Sequence, residues 1–366
     1  MLAVLTGGGT AGHINPALAL AEVLEERGVE VQFAGTPNGR EADLVPAAGI
    51  PFTPFEATGF NRNHPTSIVK ALRLLKKGTA QALQWFDEIN PDVVVGFGGY
   101  VSLAIGRAAE KRGIPLVIHE QNSVMGLANK DLSRQADAVC LTYDHASSAV
   151  KDPSKVVITG NPVRKSVFEA TRAQGREAFG VPEDAVMLLV TGGSLGARHL
   201  NQALCGLKDE LLAHDQLYIV HVTGPKELQT VTDDLALTPE QAKRWQLHGY
   251  TNQMGAAMAA ADAIVSRAGA TSLAEISARG LPALLVPFPY ATEDHQTTNA
   301  RAWVEAGCAS MIADADVEGP EFKRLLLELV EDPARRASMS QAAREMKTAD
   351  AANALADVVV RVARKG

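Results

Sequence analysis

The chain has 366 residues, 46% of them hydrophobic and 21% charged, with a formal net charge of −7; this is enough for two domains with cores of their own, too apolar for a disordered chain, and too acidic for a general nucleic-acid surface. Its three cysteines, Cys140, Cys205 and Cys308, are far apart with no Cys/His ligand spacing, which reads as small buried hydrophobes in a reducing compartment and excludes a disulfide framework. Met1–Thr6 runs into a glycine loop without a signal-peptide pattern, and no stretch reaches ~18 apolar residues, so a cytoplasmic chain is expected, meeting any membrane from its surface.

Apolar runs alternate with amphipathic stretches. Strands are expected at Leu2–Thr6, Val29–Ala34, Val93–Phe97, Pro115–His119, Ala138–Leu141 and Val156–Thr159, then at Met187–Thr191, Tyr218–Val222, Ala263–Ser266, Ala283–Val286 and Ser310–Ile312. Helices are expected between them, among others at Pro16–Arg27, Ser102–Arg112, Ala197–Ala213 and Ser272–Arg279. This alternation implies doubly wound α/β domains with parallel sheets, and strands rich in Val, Leu and Ile without polar alternation imply sheets covered on both faces. Gly160-Asn161-Pro162-Val163-Arg164 punctuates the chain, so the expected domains are 1–161 and 162–349, with a last amphipathic helix, 350–365, packing back on the first.

Three turns follow a strand and open a helix: Gly7-Gly8-Gly9-Thr10-Ala11-Gly12-His13, Gly96-Phe97-Gly98-Gly99-Tyr100 and Gly192-Gly193-Ser194-Leu195-Gly196. Glycine admits tight backbone and close ligand approach, and a helix N-terminus favours negative charge. Glycines can also serve tight turns alone; three such turns in one context favour an anionic ligand. The first matches G-x-G-x-x-G, but its second strand ends Phe33-Ala34-Gly35-Thr36 without the acid that would hold ribose hydroxyls, and the nearest acid, Glu30, is at the wrong end, which counts against a dehydrogenase. His13 is either a surface histidine or a neutral general base at a helix start. Ser272-Leu273-Ala274-Glu275 fits a capping box, which would leave Glu275 holding its own helix start. From Ala57 to Phe86 there is no acid, while Arg62, Lys70, Arg73, Lys76 and Lys77 are interleaved with apolar residues; a solvated helix face and an anionic membrane surface both fit.

Gly8-Gly9-Thr10-Ala11-Gly12-His13 with Asn15-Pro16, Gly98-Gly99-Tyr100-Val101-Ser102, His119-Glu120-Gln121-Asn122, Gly160–Arg164, Gly192–Arg198, Arg267-Ala268-Gly269-Ala270 through Glu275, and Asp294–Ala300 together resemble, in order and over nearly the whole chain, the peptidoglycan N-acetylglucosaminyltransferases of glycosyltransferase family 28. The resemblance implies a GT-B fold, two Rossmann-like domains facing across a cleft. It implies inverting transfer of GlcNAc from UDP-GlcNAc to the C4 hydroxyl of MurNAc in undecaprenyl-pyrophosphoryl-MurNAc-pentapeptide, lipid I becoming lipid II. It implies no cofactor and no metal.

By the same resemblance His13 is the base. Thr10, Ala11, Gly12, Asn122, Arg164, Ser194, Thr251, Gln296 and the run Ala270, Thr271, Ser272, Leu273, Ala274 and Glu275 bind the donor, and Gly9, Gly98, Gly99 and Tyr100 face the acceptor. Lys70, Arg73, Lys76 and Lys77 would then rest on the cytoplasmic face of the cell membrane, with partners among the cell-wall synthesis and division complexes. Ala11 and His295 stand where some relatives have glycine and glutamine. The alternatives are a UDP-GlcNAc epimerase of similar build and a non-catalytic nucleotide-sugar binder.

Overall fold

A computed structural model describes residues 1–59, 65–193, 197–291, 294–346 and 350–364, with only the backbone at 65–67. By its internal contacts the chain divides into one unit of Met1–Arg164 with Ala349–Gly366 and another of Lys165–Thr348.

The first unit holds seven parallel strands, β1 (Leu2–Thr6), β2 (Glu30–Gly35), β3 (Phe52–Pro54), β4 (Val93–Gly96), β5 (Leu116–Glu120), β6 (Ala138–Leu141) and β7 (Val156–Ile158), in the order β3-β2-β1-β4-β5-β6-β7. The second holds six, β8 (Val186–Thr191), β9 (Leu217–Val222), β10 (Trp245–His248), β11 (Ala263–Ser266), β12 (Ala283–Leu285) and β13 (Ala309–Met311), in the order β10-β9-β8-β11-β12-β13. Val93–Gly96 and Ala263–Ser266 are buried at every position, so their apolar runs have no solvent face to alternate with. In each sheet the strand order reverses beside the first strand of the unit, between β1 and β4 and between β8 and β11. Open α/β sheets bind ligands at such switch points, beyond the carboxyl ends of the strands.

Helix α1 (Ala11–Glu26) buries Ile14, Leu18 and Leu24 against one face of the first sheet. The helix Ala351–Ala363 completes the same face with Leu355, Val358, Val359 and Val362, and Asp357 pairs with Arg27 at 2.6 Å. The short α2 (Glu41–Ala47) follows β2. On the opposite face, Phe86 of α3 (Pro65–Ile89) and Val101, Ile105 and Ala108 of α4 (Tyr100–Arg112) pack together.

Several sequence-derived boundaries shift. α1 begins at Ala11, so Pro16 lies inside it, in the second turn; it cannot donate to the Gly12 carbonyl, and burial of Ile14, Ala17 and Leu18 holds the turn despite that loss. The helix expected over Ala197–Ala213 is two, Arg198–Cys205 and Lys208–Leu212, separated at Gly206, a poor helix former. β3 and β10 were not expected. Both are short edge strands of mixed polarity, and β3 ends in a proline, which an edge tolerates.

Candidate functional site

The switch point of the first sheet brings two glycine turns together. Gly99 has φ +86°, a region that favours glycine, and a Cβ there would lie 2.7 Å from the Gly8 carbonyl oxygen. A Cβ on Gly98 would meet His13 Nε2 at 3.1 Å. The Ser102 hydroxyl lies 2.9 Å from the Thr6 carbonyl and 2.7 Å from that of Gly98, tying β1 to the second turn. Gly9 and Thr10 are exposed, while Ala11, Gly12 and His13 are half-buried in the first turn of α1. Tyr100 opens α4 with 40% of its surface exposed.

His13 has a defined orientation. Its Nδ1 is 2.9 Å from the Gly8 carbonyl oxygen and 3.3 Å from Thr10 Oγ1. A carbonyl only accepts, so Nδ1 carries the proton, and in the neutral ring Nε2 keeps its lone pair, beside Gly98.

Glu41 is a site residue that the sequence reading missed. The acid sought near the end of β2 is not Glu30 but this residue, folded back from the start of α2. Glu41 is fully buried, and it accepts from Thr36 N–H at 3.0 Å, Thr36 O–H at 2.6 Å and Gly9 N–H at 3.3 Å. Cβ atoms on Gly8 or Gly39 would strike its carboxylate. The carboxylate next to the end of β2 is thus engaged by the chain itself. The only cue in the sequence was the small residues Gly8, Gly35 and Gly39, which leave room for it.

The strand-end motif of β5 forms a third cluster. Glu120 is buried and accepts from Asn122 N–H (3.1 Å), Asn122 Nδ2 (3.3 Å), Gly126 N–H (3.0 Å) and Asn129 Nδ2 (2.8 Å). Asn129 also comes within 3.6 Å of a Cβ placed on Gly98, which links this cluster to the glycine turns. His119 is fully buried; burial pushes its pKa down to about 4, although its hydrogen bond to the Gly160 carbonyl works the other way. Arg164 falls in the first unit, paired through Nε with Glu22 of α1 at 3.0 Å.

In the second unit the helix Ala270–Arg279 starts at the switch point, with Gly269 as N-cap. It begins before Ser272, so Ser272 is inside the helix and the capping box does not form; the S-x-x-E spacing was matched by a segment already helical. Glu275 is half-buried in the second turn, and Thr271 and Glu275 each have a partner. Gln296 Oε1 accepts from Ala268 N–H (3.1 Å) and Phe288 N–H (3.0 Å), which directs its amide NH₂ toward Gly269. Beneath it Arg267 pairs with Asp314 at 2.5 Å, donates to the Val286 and Pro287 carbonyls, and lies over the Phe288 ring. Burial opposes the charge on Asp314, but hydrogen bonds from His199 and Arg267 outweigh it and hold the carboxyl below its ordinary range. This buried network had no signature in sequence spacing. Thr251 follows the edge strand β10, its hydroxyl accepting from Gln253 N–H at 3.0 Å. Ser194 lies outside the described residues.

Two family models match the chain, the glycosyltransferase family 28 N-terminal domain over residues 3–141 and its C-terminal domain over 187–355. The chain is 38% identical, with both chains fully covered, to the UDP-N-acetylglucosamine–N-acetylmuramyl-(pentapeptide) pyrophosphoryl-undecaprenol N-acetylglucosamine transferase of Halothermothrix orenii. It is 40% identical to that of Salinibacter ruber, over 98% of this chain and 96% of the relative. The chain belongs to glycosyltransferase family 28. The crystal structure of Acinetobacter baumannii MurG superposes with a TM-score of 0.76 at 30% identity, covering 98% and 99% of the two chains. The calicheamicin glycosyltransferase CalG4, at 16% identity and a TM-score of 0.70, shares the fold. The two parallel-sheet units are therefore the Rossmann-like units of a GT-B family 28 enzyme.

A further group lies on α3. Val69 and Leu72 are 70% and 60% exposed among Lys70, Arg73 and Lys76, for which no carboxylate partner occurs among the described residues. Lys77 differs, being paired with Glu56 at 2.9 Å. No helix among the described residues is long and apolar enough to cross a membrane.

Proposed function

We propose that this family 28 enzyme transfers GlcNAc from UDP-GlcNAc to the C4 hydroxyl of the MurNAc unit of undecaprenyl-pyrophosphoryl-MurNAc-pentapeptide, with inversion at the anomeric carbon. The observation that carries the reading is His13, held at the switch point of the first unit with Nδ1 on a backbone carbonyl, in a chain alike over its full length to transferases named for that reaction.

In this reading Nε2 of His13 takes the proton of the C4 hydroxyl as its oxygen attacks C1 of the donor, and the C1–O bond to UDP breaks on the opposite face. A base so placed contributes roughly 10²–10⁴-fold. Gly9, Gly98, Gly99 and Tyr100 face the acceptor pyrophosphate. The N-terminal N–H groups of the helix Ala270–Arg279, together with Ser194, stabilise the charge that develops on the leaving diphosphate. Glu275 holds the ribose hydroxyls and Thr251 the uracil. Gln296 presents its NH₂ to the sugar hydroxyls, Thr10, Ala11, Gly12 and Asn122 approach the donor sugar, and Arg164 serves the nucleotide side. The apolar, basic surface of α3 rests on the anionic membrane that carries the lipid-linked acceptor.

Labelled UDP-GlcNAc supplied with and without a lipid I analogue tests the reaction. Acceptor-dependent transfer supports it, whereas epimerised free sugar nucleotide or binding without turnover refutes it. His13→Ala is expected to lower kcat at least 100-fold; near-wild-type kcat would remove His13 from the mechanism.

A further inference from the structure

The Gly8 carbonyl that accepts from His13 and the Gly9 N–H that donates to Glu41 belong to one peptide group. From the imidazole to the carboxylate the chain of bonds is unbroken: Nδ1–H to the Gly8 oxygen at 2.9 Å, then Gly9 N–H to Glu41 Oε2 at 3.3 Å. The other carboxylate oxygen is fixed by the Thr36 backbone N–H and hydroxyl at the end of β2. Gly9, at φ +86°, lets the peptide turn in this direction, and the missing Cβ atoms of Gly8 and Gly99 leave room for the carboxylate on one side and the carbonyl on the other.

We infer that Glu41 is a positioning residue for His13, acting through the Gly8–Gly9 peptide as a buried carboxylate acts directly on a histidine in other catalytic sites. The inference rests on the transferase reading for its catalytic consequence, though not for the bonds themselves.

Hydrogen bonds in series polarise one another, so a carboxylate on the N–H end makes the carbonyl end a better acceptor. That has two effects on His13. It selects the Nδ1–H tautomer, leaving Nε2 as the basic atom, and it stabilises the imidazolium formed when Nε2 takes the acceptor proton. Glu41 touches no substrate in this scheme. Its burial beneath the turn gives the inward-directed Gly9 N–H its acceptor.

Glu41→Gln keeps the side-chain shape but leaves one acceptor oxygen for three donors, so an NH₂ opposes an N–H and the series is broken. The test combines steady-state kinetics with a double-mutant cycle on wild type, E41Q, H13A and E41Q/H13A, using UDP-GlcNAc and a soluble lipid I analogue. E41Q is expected to lower kcat 10- to 100-fold with KM for UDP-GlcNAc changed less than 2-fold, and to change kcat less than 2-fold in the H13A background. E41D, which retains a carboxylate, is expected to recover part of the loss. Equal losses in both backgrounds, or an unchanged kcat in E41Q, would overturn the inference.

A second readout uses the wild-type protein alone. ¹⁵N-histidine spectra, with H13A for assignment, are expected to show His13 protonated at Nδ1; protonation at Nε2 overturns the inference without any Glu41 variant. If no variant or wild type transfers sugar while the spectrum shows Nδ1–H, the transferase reading has failed and the relay stands. If wild type transfers sugar but the spectrum or the cycle goes the other way, only the relay has failed.

Discussion

Acid should weaken the first unit through His119 in a calculable way. In the folded chain its Nε2 donates to the Gly160 carbonyl at 2.9 Å and its Nδ1 faces the amide NH₂ of Gln121 at 3.1 Å, an arrangement only the neutral ring satisfies. Burial is the main cause that lowers its pKa from 6.5 to about 4. Above pH 6.5 the ring is neutral in both folded and unfolded chains, and this contribution to stability is fully present. As the pH falls, the unfolded chain takes up the proton first, so stability is lost progressively down to about pH 4. At pH 5 the loss is about 2 kcal/mol. Hydrogen exchange of β5 amides, measured at pH 7 and pH 5 and corrected for intrinsic rates, reads it directly. His119→Gln should be less stable than wild type at pH 7, yet should lose about 2 kcal/mol less between pH 7 and pH 5. An equal pH-dependent loss in wild type and variant would refute the reasoning. His221, fully buried in the second unit and lowered by burial to about 3, provides a control, because the response of β9 amides should be untouched by the change at residue 119.

Gly99→Ala places a Cβ 2.7 Å from the Gly8 carbonyl in a backbone conformation that disfavours alanine, so thermal unfolding should show a loss of roughly 1–3 kcal/mol, with kcat falling as the Gly8–His13 contact moves. Arg267→Met leaves Asp314, 12% exposed, without its guanidinium; urea unfolding of the second unit should report a loss of about 3 kcal/mol, and a loss under 1 kcal/mol would show the pair to be dispensable. Reversing Lys70, Arg73 and Lys76 to Glu should weaken sedimentation with anionic vesicles by about 100-fold or more, at about 1 kcal/mol for each charge lost, while Lys77→Glu alone should do less because Lys77 is already paired with Glu56. Unchanged vesicle binding in the triple variant would count against docking through α3.

The parallel sheets and the positions of the glycine turns were legible in sequence because local signals set them. Apolar runs buried on both faces mark the central strands, and glycines at strand ends mark the turns. The meeting of His13 with Gly98 needs only that β1 and β4 be adjacent. What was not legible depends on contacts between distant residues or on competition at element ends. Arg164 pairs with Glu22 across 142 positions, and Glu41 reaches the first turn only because α2 folds back over β2. The S-x-x-E spacing at Ser272 looked like a cap because nothing local reveals that the preceding Ala270-Thr271 is already helical. The edge strands β3 and β10 have one side unpaired, and so lack the uniform apolar run that identifies a central strand.

The helix Ala351–Ala363 closes a core whose other members lie in the first 164 residues, with the whole second unit encoded between them. During synthesis the apolar face of α1 must therefore wait for a segment that leaves the ribosome only after the second unit has emerged. A fragment ending at Arg164 would keep that face open to solvent. To obtain the first unit as an independent piece, a genetic design would have to carry residues 350–364 on a short tether, or circularly permute the chain so that this helix is translated next to α1.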